Sequence, residues 1–126
     1  MNDANIGRRI IMEKLLRKYP TDEHCSRRKL FKQGCRIAEL EQYIAGFGGD
    51  DLKWLLAAAY EEMGHDLLTC SPAVAEGYYR LAHRTYSEME NSDEDRLAGM
   101  RHTAAMIERA YFLQLAAAVR KLPVSA

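Results

Sequence analysis

The residues of this chain that could do chemistry are few and scattered. Glu62 and His65 stand three apart in Glu62-Met63-Gly64-His65. On a helix that spacing puts a carboxylate and an imidazole on one face, the way helical bundles present metal ligands. Such a site needs a second Glu-x-x-His and further carboxylates, and neither His83 nor His102 has a Glu three residues before it. His24, Cys25, Cys35 and Cys70 form the other ligand set. Zinc sites draw on close pairs such as Cys-x2-Cys, whereas here His24 and Cys25 are adjacent and the other thiols stand alone. Isolated cysteines behave as small hydrophobes. The sequence predicts no metal site and no cofactor.

A Gly-rich phosphate loop, a nucleophile elbow and a His-Glu-x-x-His motif are all missing. Gly46, Gly48 and Gly49 precede a helix without a strand before them or a Lys among them, so they read as a turn. Arg96 and His102 form an Arg-x5-His spacing that loosely resembles the Arg-x4-6-His signature of the HEPN family of helical ribonucleases. That resemblance implies a pair at a dimer interface acting on RNA phosphodiesters. It covers two positions and the helical layout, and it departs from the family at Leu97, where a polar residue is usual. Six residues at about 100° each also set the two side chains on separate faces of an unbroken helix. No catalytic residue is assigned, and an enzyme is not expected.

The elements that would position any site are helices. The most regular stretch runs from Ser92 to Leu122, where Leu97, Met100, Ala104, Ile107, Tyr111, Leu115, Ala118 and Leu122 recur at steps of three and four. Met106, Ala110, Leu113 and Ala117 make a second line, which widens the stripe. Ser92 is the expected cap, Asp93, Glu94 and Asp95 suit the positive end of the dipole, and Arg120 and Lys121 suit the other end before Pro123. At about 1.5 Å per residue this helix is roughly 45 Å long, more than a compact domain of this size needs. Part of it is expected to pack on something outside its own bundle.

Upstream, residues 5–19 read as a basic first helix ended by Pro20, and a second helix runs from Thr21 to Ala45 with Leu30, Phe31, Ile37, Leu40, Tyr43 and Ile44 as its core face. Gly34 is a possible break within it. A third helix spans Asp50 to about Leu68. Ser71-Pro72 restarts a fourth that carries Val74, Tyr78, Leu81, Ala82, Tyr86 and Met89 and ends near Asn91. Leu56-Ala57-x-x-Tyr60-x-x-x-Gly64 followed by Tyr79-x-x-Ala82 resembles the paired helices of one tetratricopeptide repeat, with about six extra residues between the halves and no second copy. The resemblance implies close helix approach over small residues. Short connections between long helices imply antiparallel neighbours. The expected fold is all-α, a bundle of about five antiparallel helices with a long C-terminal helix. One domain covers residues 1–126, with the basic helix at 5–19 and the core bundle at 21–122.

Composition agrees with a globular domain: of 126 residues, 48% are apolar and 29% charged. No apolar run reaches a membrane-spanning length and no signal peptide is evident, so a cytoplasmic protein with reduced thiols and no membrane partner is expected. Net charge is zero but uneven. Residues 1–32 carry nine Lys or Arg against four acids, about +5, and the remainder about −5. The basic set includes Arg8, Arg9, Lys14, Arg17, Lys18, Arg27, Arg28, Lys29 and Lys32. Such a segment can meet nucleic acid, an acidic partner or the chain's own acidic body. Aromatic residues do not interleave with these charges as a single-strand binder requires. The reading that follows is a protein–protein interaction or adaptor module, a homodimer first, with a nucleic-acid-binding or regulatory protein as the alternative.

Overall fold

A computed structural model describes residues 27–123 of the chain. It contains four helices: α1 (Arg27–Phe47), α2 (Asp50–Leu67), α3 (Pro72–Ser87) and α4 (Glu94–Arg120). No strand occurs among the described residues. The expected helix at 5–19 and the start of the next at 21–26 lie outside them.

Packing follows chain order: α1 lies on α2, α2 on α3 and α3 on α4. Cross-helix pairs show that each neighbour runs antiparallel. Gln33 meets Asp66, Arg36 meets Glu62 and Glu41 meets Tyr60, so the α2 number falls as the α1 number climbs. The main core lies between α1 and α2, built on Ile37, Leu40, Leu52, Leu56, Tyr60 and Met63, and α3 closes it with Ala82. Leu40 and Leu52 are fully buried, each contributing about 1.5–3 kcal/mol of transfer free energy. Two smaller clusters join α3 to its neighbours. Tyr79 packs with Leu68, Ala75 and Ala110, and Tyr86 with Ala57 and Met89.

Local signals explain most helix limits. Asp50 and Asp51 occupy the first turn of α2, Pro72 opens α3, and Glu94 and Asp95 with Arg120 complement the dipole of α4. α1 passes through Gly34 without a break and ends at Phe47, two residues beyond Ala45. Among the described residues, left-handed backbone occurs only at Gly48 (φ 64°) and Gly49 (φ 98°), and Gly46 stays helical. α3 stops at Ser87, short of Asn91, because its end is held from outside. Arg96 donates from Nε and Nη2 to the carbonyls of Tyr86 and Ser87, at 2.8 and 3.0 Å. The Asp50 carboxylate accepts the backbone N–H groups of Glu90 and Asn91, which turns the chain away. Those two hydrogen bonds hold the Asp50 carboxyl below its ordinary value. α4 begins at Glu94 with Asp93 at the cap position, where Ser92 was expected.

Three expected core positions are instead outside. Phe31 is 73% exposed, because it lies about 100° from the Leu30–Ile37–Leu40 face and α1 packs substantially on α2 alone. Val74 and Leu81 are exposed on α3, whose buried line is Ala75, Tyr79, Ala82 and Tyr86. Lying between two helices, α3 turns its small residues and its rings inward and its branched residues out.

The rings of α3 reach glycines. A Cβ on Gly64 of α2 would stand 2.8 Å from the Tyr79 ring, and one on Gly99 of α4 would stand 2.7 Å from the Tyr86 ring. Gly64→Ala and Gly99→Ala should therefore each destabilise the fold by about 1–3 kcal/mol, the usual cost of overpacking a filled site. Around Gly34 no heavy atom lies within 4 Å of an added Cβ. Gly34→Ala in mid-helix should instead stabilise by about 0.5–1 kcal/mol. Thermal unfolding of the three variants checks the opposite signs.

Candidate functional site

α4 carries apolar side chains on both of its sides. Its inner side, toward α3, presents Thr103, Met106, Ala110 and Leu113, with Thr103 and Ala110 fully buried. Polar groups fasten this side. His83 Nδ1 lies 3.0 Å from Thr103 Oγ1 and 3.1 Å from the Met100 carbonyl, and Gln114 Nε2 donates to Glu76 at 3.0 Å. The outer side holds Leu97, Tyr111, Phe112, Leu115, Val119 and Leu122, each between 40% and 65% exposed.

The expected C-terminal stripe divides between these sides. Leu97, Ala104, Tyr111, Leu115, Ala118 and Leu122 are exposed together on the outer side. Met100 is half-buried against the Tyr86 cluster and Ile107 against the Tyr79 cluster. The second line, Met106, Ala110, Leu113 and Ala117, is the docked side and not a widening of the first. Replacing Met100 and Ile107 by their neighbours Arg101 and Glu108 gives an outer seam at positions 97, 101, 104, 108, 111, 115, 118 and 122. Its steps alternate four and three, and all eight residues are exposed. Six of the eight are apolar or Ala, and Arg101 and Glu108 interrupt the row. Phe112 and Val119 flank the seam; both are apolar in the sequence, but only the docking geometry shows which side they face.

The basic segment is partly engaged. Arg27 and Arg28 are exposed, whereas Lys29 is half-buried with Nζ 3.4 Å from Asp66 of α2. Arg8, Arg9, Lys14, Arg17 and Lys18 lie outside the described residues. Arg36 pairs with Glu62 at 3.4 Å, a second basic residue of α1 held by an acid of the body.

The chemistry-bearing pairs separate. Glu62 turns to Arg36 on α1, while the His65 ring lies against Tyr79 on α3, with Nδ1 hydrogen-bonded to its hydroxyl. Arg96 is occupied by the carbonyls of α3, and His102 stands beside His65, with ring centroids 5.7 Å apart. Cys35 is half-buried and Cys70 exposed, both free thiols; His24 and Cys25 lie outside the described residues. No group of three His, Cys, Asp or Glu side chains among the described residues could hold a metal ion. A recess of about 170 Å³ is lined by Asp50, Asp51, Trp54, Asp93, Asp95 and Arg96, but its Asp50 and Arg96 already fix the α3–α4 connection.

Glu61 and His65, four apart on α2, nevertheless meet the Tyr86 and Tyr79 hydroxyls, and His102 of α4 joins them through His65, which sequence spacing did not show. The Tyr86 hydroxyl donates to Glu61 Oε2 at 3.2 Å, and Glu61 Oε1 is buried without a hydrogen-bond partner among the described residues. Burial raises the Glu61 carboxyl above its ordinary 4.5, against the opposing pull of His102. Burial, then His102, lowers His65 and favours the neutral imidazole that can accept from Tyr79. Burial also lifts the Tyr79 phenol to about 12, so it stays a donor. These groups tie α2, α3 and α4 together.

No helix among the described residues is long and apolar enough to cross a membrane. A carboxyl raised by folding stabilises the fold in full below its unfolded value, and that contribution is lost as pH rises through the folded value. Glu61→Gln, neutral at every pH, should thus match the wild type in melting temperature below pH 4.5 and exceed it above, the excess growing until the pH passes the folded value of Glu61. A difference that shrinks with rising pH would contradict the burial account. No family model matches this chain, and neither does any curated protein or solved structure compared with it.

Proposed function

We propose that this chain is a small protein–protein interaction module that associates through the outer face of α4, with a second copy of itself as the first partner. The observation that carries the reading is the two-sidedness of α4: one side is docked on α3, and six large apolar side chains stand exposed along the other. A helix apolar all round is one that is buried all round. At 1.5 Å per residue the 27 residues of α4 span about 40 Å. A strip about 10 Å wide along it offers roughly 400 Å², the size at which apolar patches mark interaction sites. Two such strips bury about 800 Å², below the range of stable complexes, so a weak, reversible association is expected. Zero net charge adds little repulsion between copies.

The alternative, nucleic-acid binding by the basic N-terminal quarter, has only Arg27 and Arg28 exposed in its favour among the described residues of the patch. Salt separates the two readings, since phosphate binding falls steeply with added salt while an apolar contact does not.

Size exclusion with light scattering at low and high salt is the direct test, and the wild type should dimerise with rising concentration at both. Tyr111 and Leu115 are 51% and 44% exposed, so Tyr111→Ala and Leu115→Asp should leave the melting temperature nearly unchanged. Leu115→Asp should raise the dissociation constant at least about tenfold by placing a charge in an apolar contact. Loss of fold without a separable effect on association would sink the reading.

A further inference from the structure

The outer seam of α4 contains two charges in an otherwise apolar or small-residue row, and they decide orientation. Arg101 and Glu108 lie one heptad apart, are of opposite sign and are exposed. They share the register position of Leu115 and Leu122, while Leu97, Ala104, Tyr111 and Ala118 share the other. In a parallel pair each position meets itself. Arg101 would then face Arg101 and Glu108 would face Glu108, with Ala104 and Ala118 leaving gaps opposite themselves. In an antiparallel pair the two kinds of position alternate across the contact, and opposite charges can meet.

Resting on the association reading above, we infer that two copies pair through α4 in antiparallel orientation, with Arg101 of each copy beside Glu108 of the other. The twofold then sits at the level of residue 106, one residue from the midpoint of Glu94–Arg120. In this register Leu97 lies opposite Leu115 of the second copy, Arg101 opposite Tyr111, and Ala104 opposite Glu108. The small Ala104 makes room for the Glu108 side chain, and the Arg101 guanidinium lies over the Tyr111 ring with Glu108 one layer away. Cation–π attraction and a cross-copy ion pair act on the same Arg. A shift that matched Leu97 to Leu122 would bury one more Leu layer but set Arg101 against Ala118 and Glu108 against Tyr111. Both charges would then be without an opposite charge. A buried unpaired charge costs more than one Leu gains, so the charges set the register.

Charge reversal in the full chain tests this by sedimentation equilibrium. Arg101→Glu and Glu108→Arg, each alone, create like-charge contacts and should weaken the dimer about tenfold. The double reversal restores opposite charges and should return to within about threefold of the wild type. Both positions are exposed in the single chain, so thermal unfolding should stay unchanged in all three variants. A wild type that remains monomeric overturns the association reading itself. A dimer indifferent to the single reversals, or one that the double reversal fails to restore, keeps association and overturns the antiparallel register.

Discussion

Everything in this fold depends on how closely α3 approaches the helices on either side of it. Two tyrosine rings set that approach. Tyr79 lies against Gly64 of α2 and Tyr86 against Gly99 of α4, at distances that a single methyl group would violate. The rings lock the helices by shape, and their hydroxyls lock them by polarity, through His65 and Glu61. A phenol buried in this way needs an acceptor at its tip, and α2 supplies both. The same helix carries Ala57, which is buried beside Tyr86 and thin enough to let α3 settle. Both acceptors and the Gly64 notch therefore lie on one face of α2, while Gly99 of α4 gives room on the other side.

That constraint has a consequence for α4. A helix held at close range by a ring in a glycine notch presents small or polar residues to its neighbour: Gly99, Thr103, Ala110 and Gln114. Met106, Ile107 and Leu113 pack beside them, and the rest of its bulk goes elsewhere. The usual surface helix turns its large apolar residues inward and its polar ones out. In α4 the six largest exposed apolar side chains lie outside, and a Thr is among the most deeply buried residues of the protein. The low amphipathicity of α4 within the single chain is thus a property of its two-sided design, not a weak pattern. One side follows the geometry of the α3 contact and the other follows a 3.5-residue repeat.

Much of the helical layout was legible in the sequence because it depends on local signals. The limits of α2, the Pro72 start of α3 and the stop before Pro123 each follow from a cap, a dipole charge or a Gly or Pro. The buried faces of α2 and α1 were legible too, apart from Phe31. What escaped was whatever depends on a neighbour. Periodicity gives Val74, Tyr78, Leu81, Ala82, Tyr86 and Met89 as the apolar line of α3; Ala82, Tyr86 and Met89 are buried, whereas Val74 and Leu81 are exposed. Ala75 and Tyr79 are buried beside them, one residue out of phase with Val74 and Tyr78. The early end of α3 depends on Arg96 and Asp50, nine and 37 residues from Ser87 in the chain. Glu61 and His65 stand four apart on α2, but His102 joins them only because α2 and α4 flank the same helix.

Charge behaves in the same divided way. The excess of Lys and Arg in the first quarter invites a reading as a binding surface, yet Lys29 and Arg36 turn back to Asp66 and Glu62. Exposed pairs of this kind contribute little; these are partly sheltered, and they orient α1 on α2 more than they stabilise it. The neutrality of the chain is therefore partly a local cancellation between α1 and α2. Around α4 cancellation takes a different form: Arg101 and Glu108 are exposed in the single chain, and seven residues along one helix is too far for a direct contact between them. Acidic and basic groups of α1 and α2 find one another inside the fold. Those on the outer seam of α4 stand exposed in the single chain.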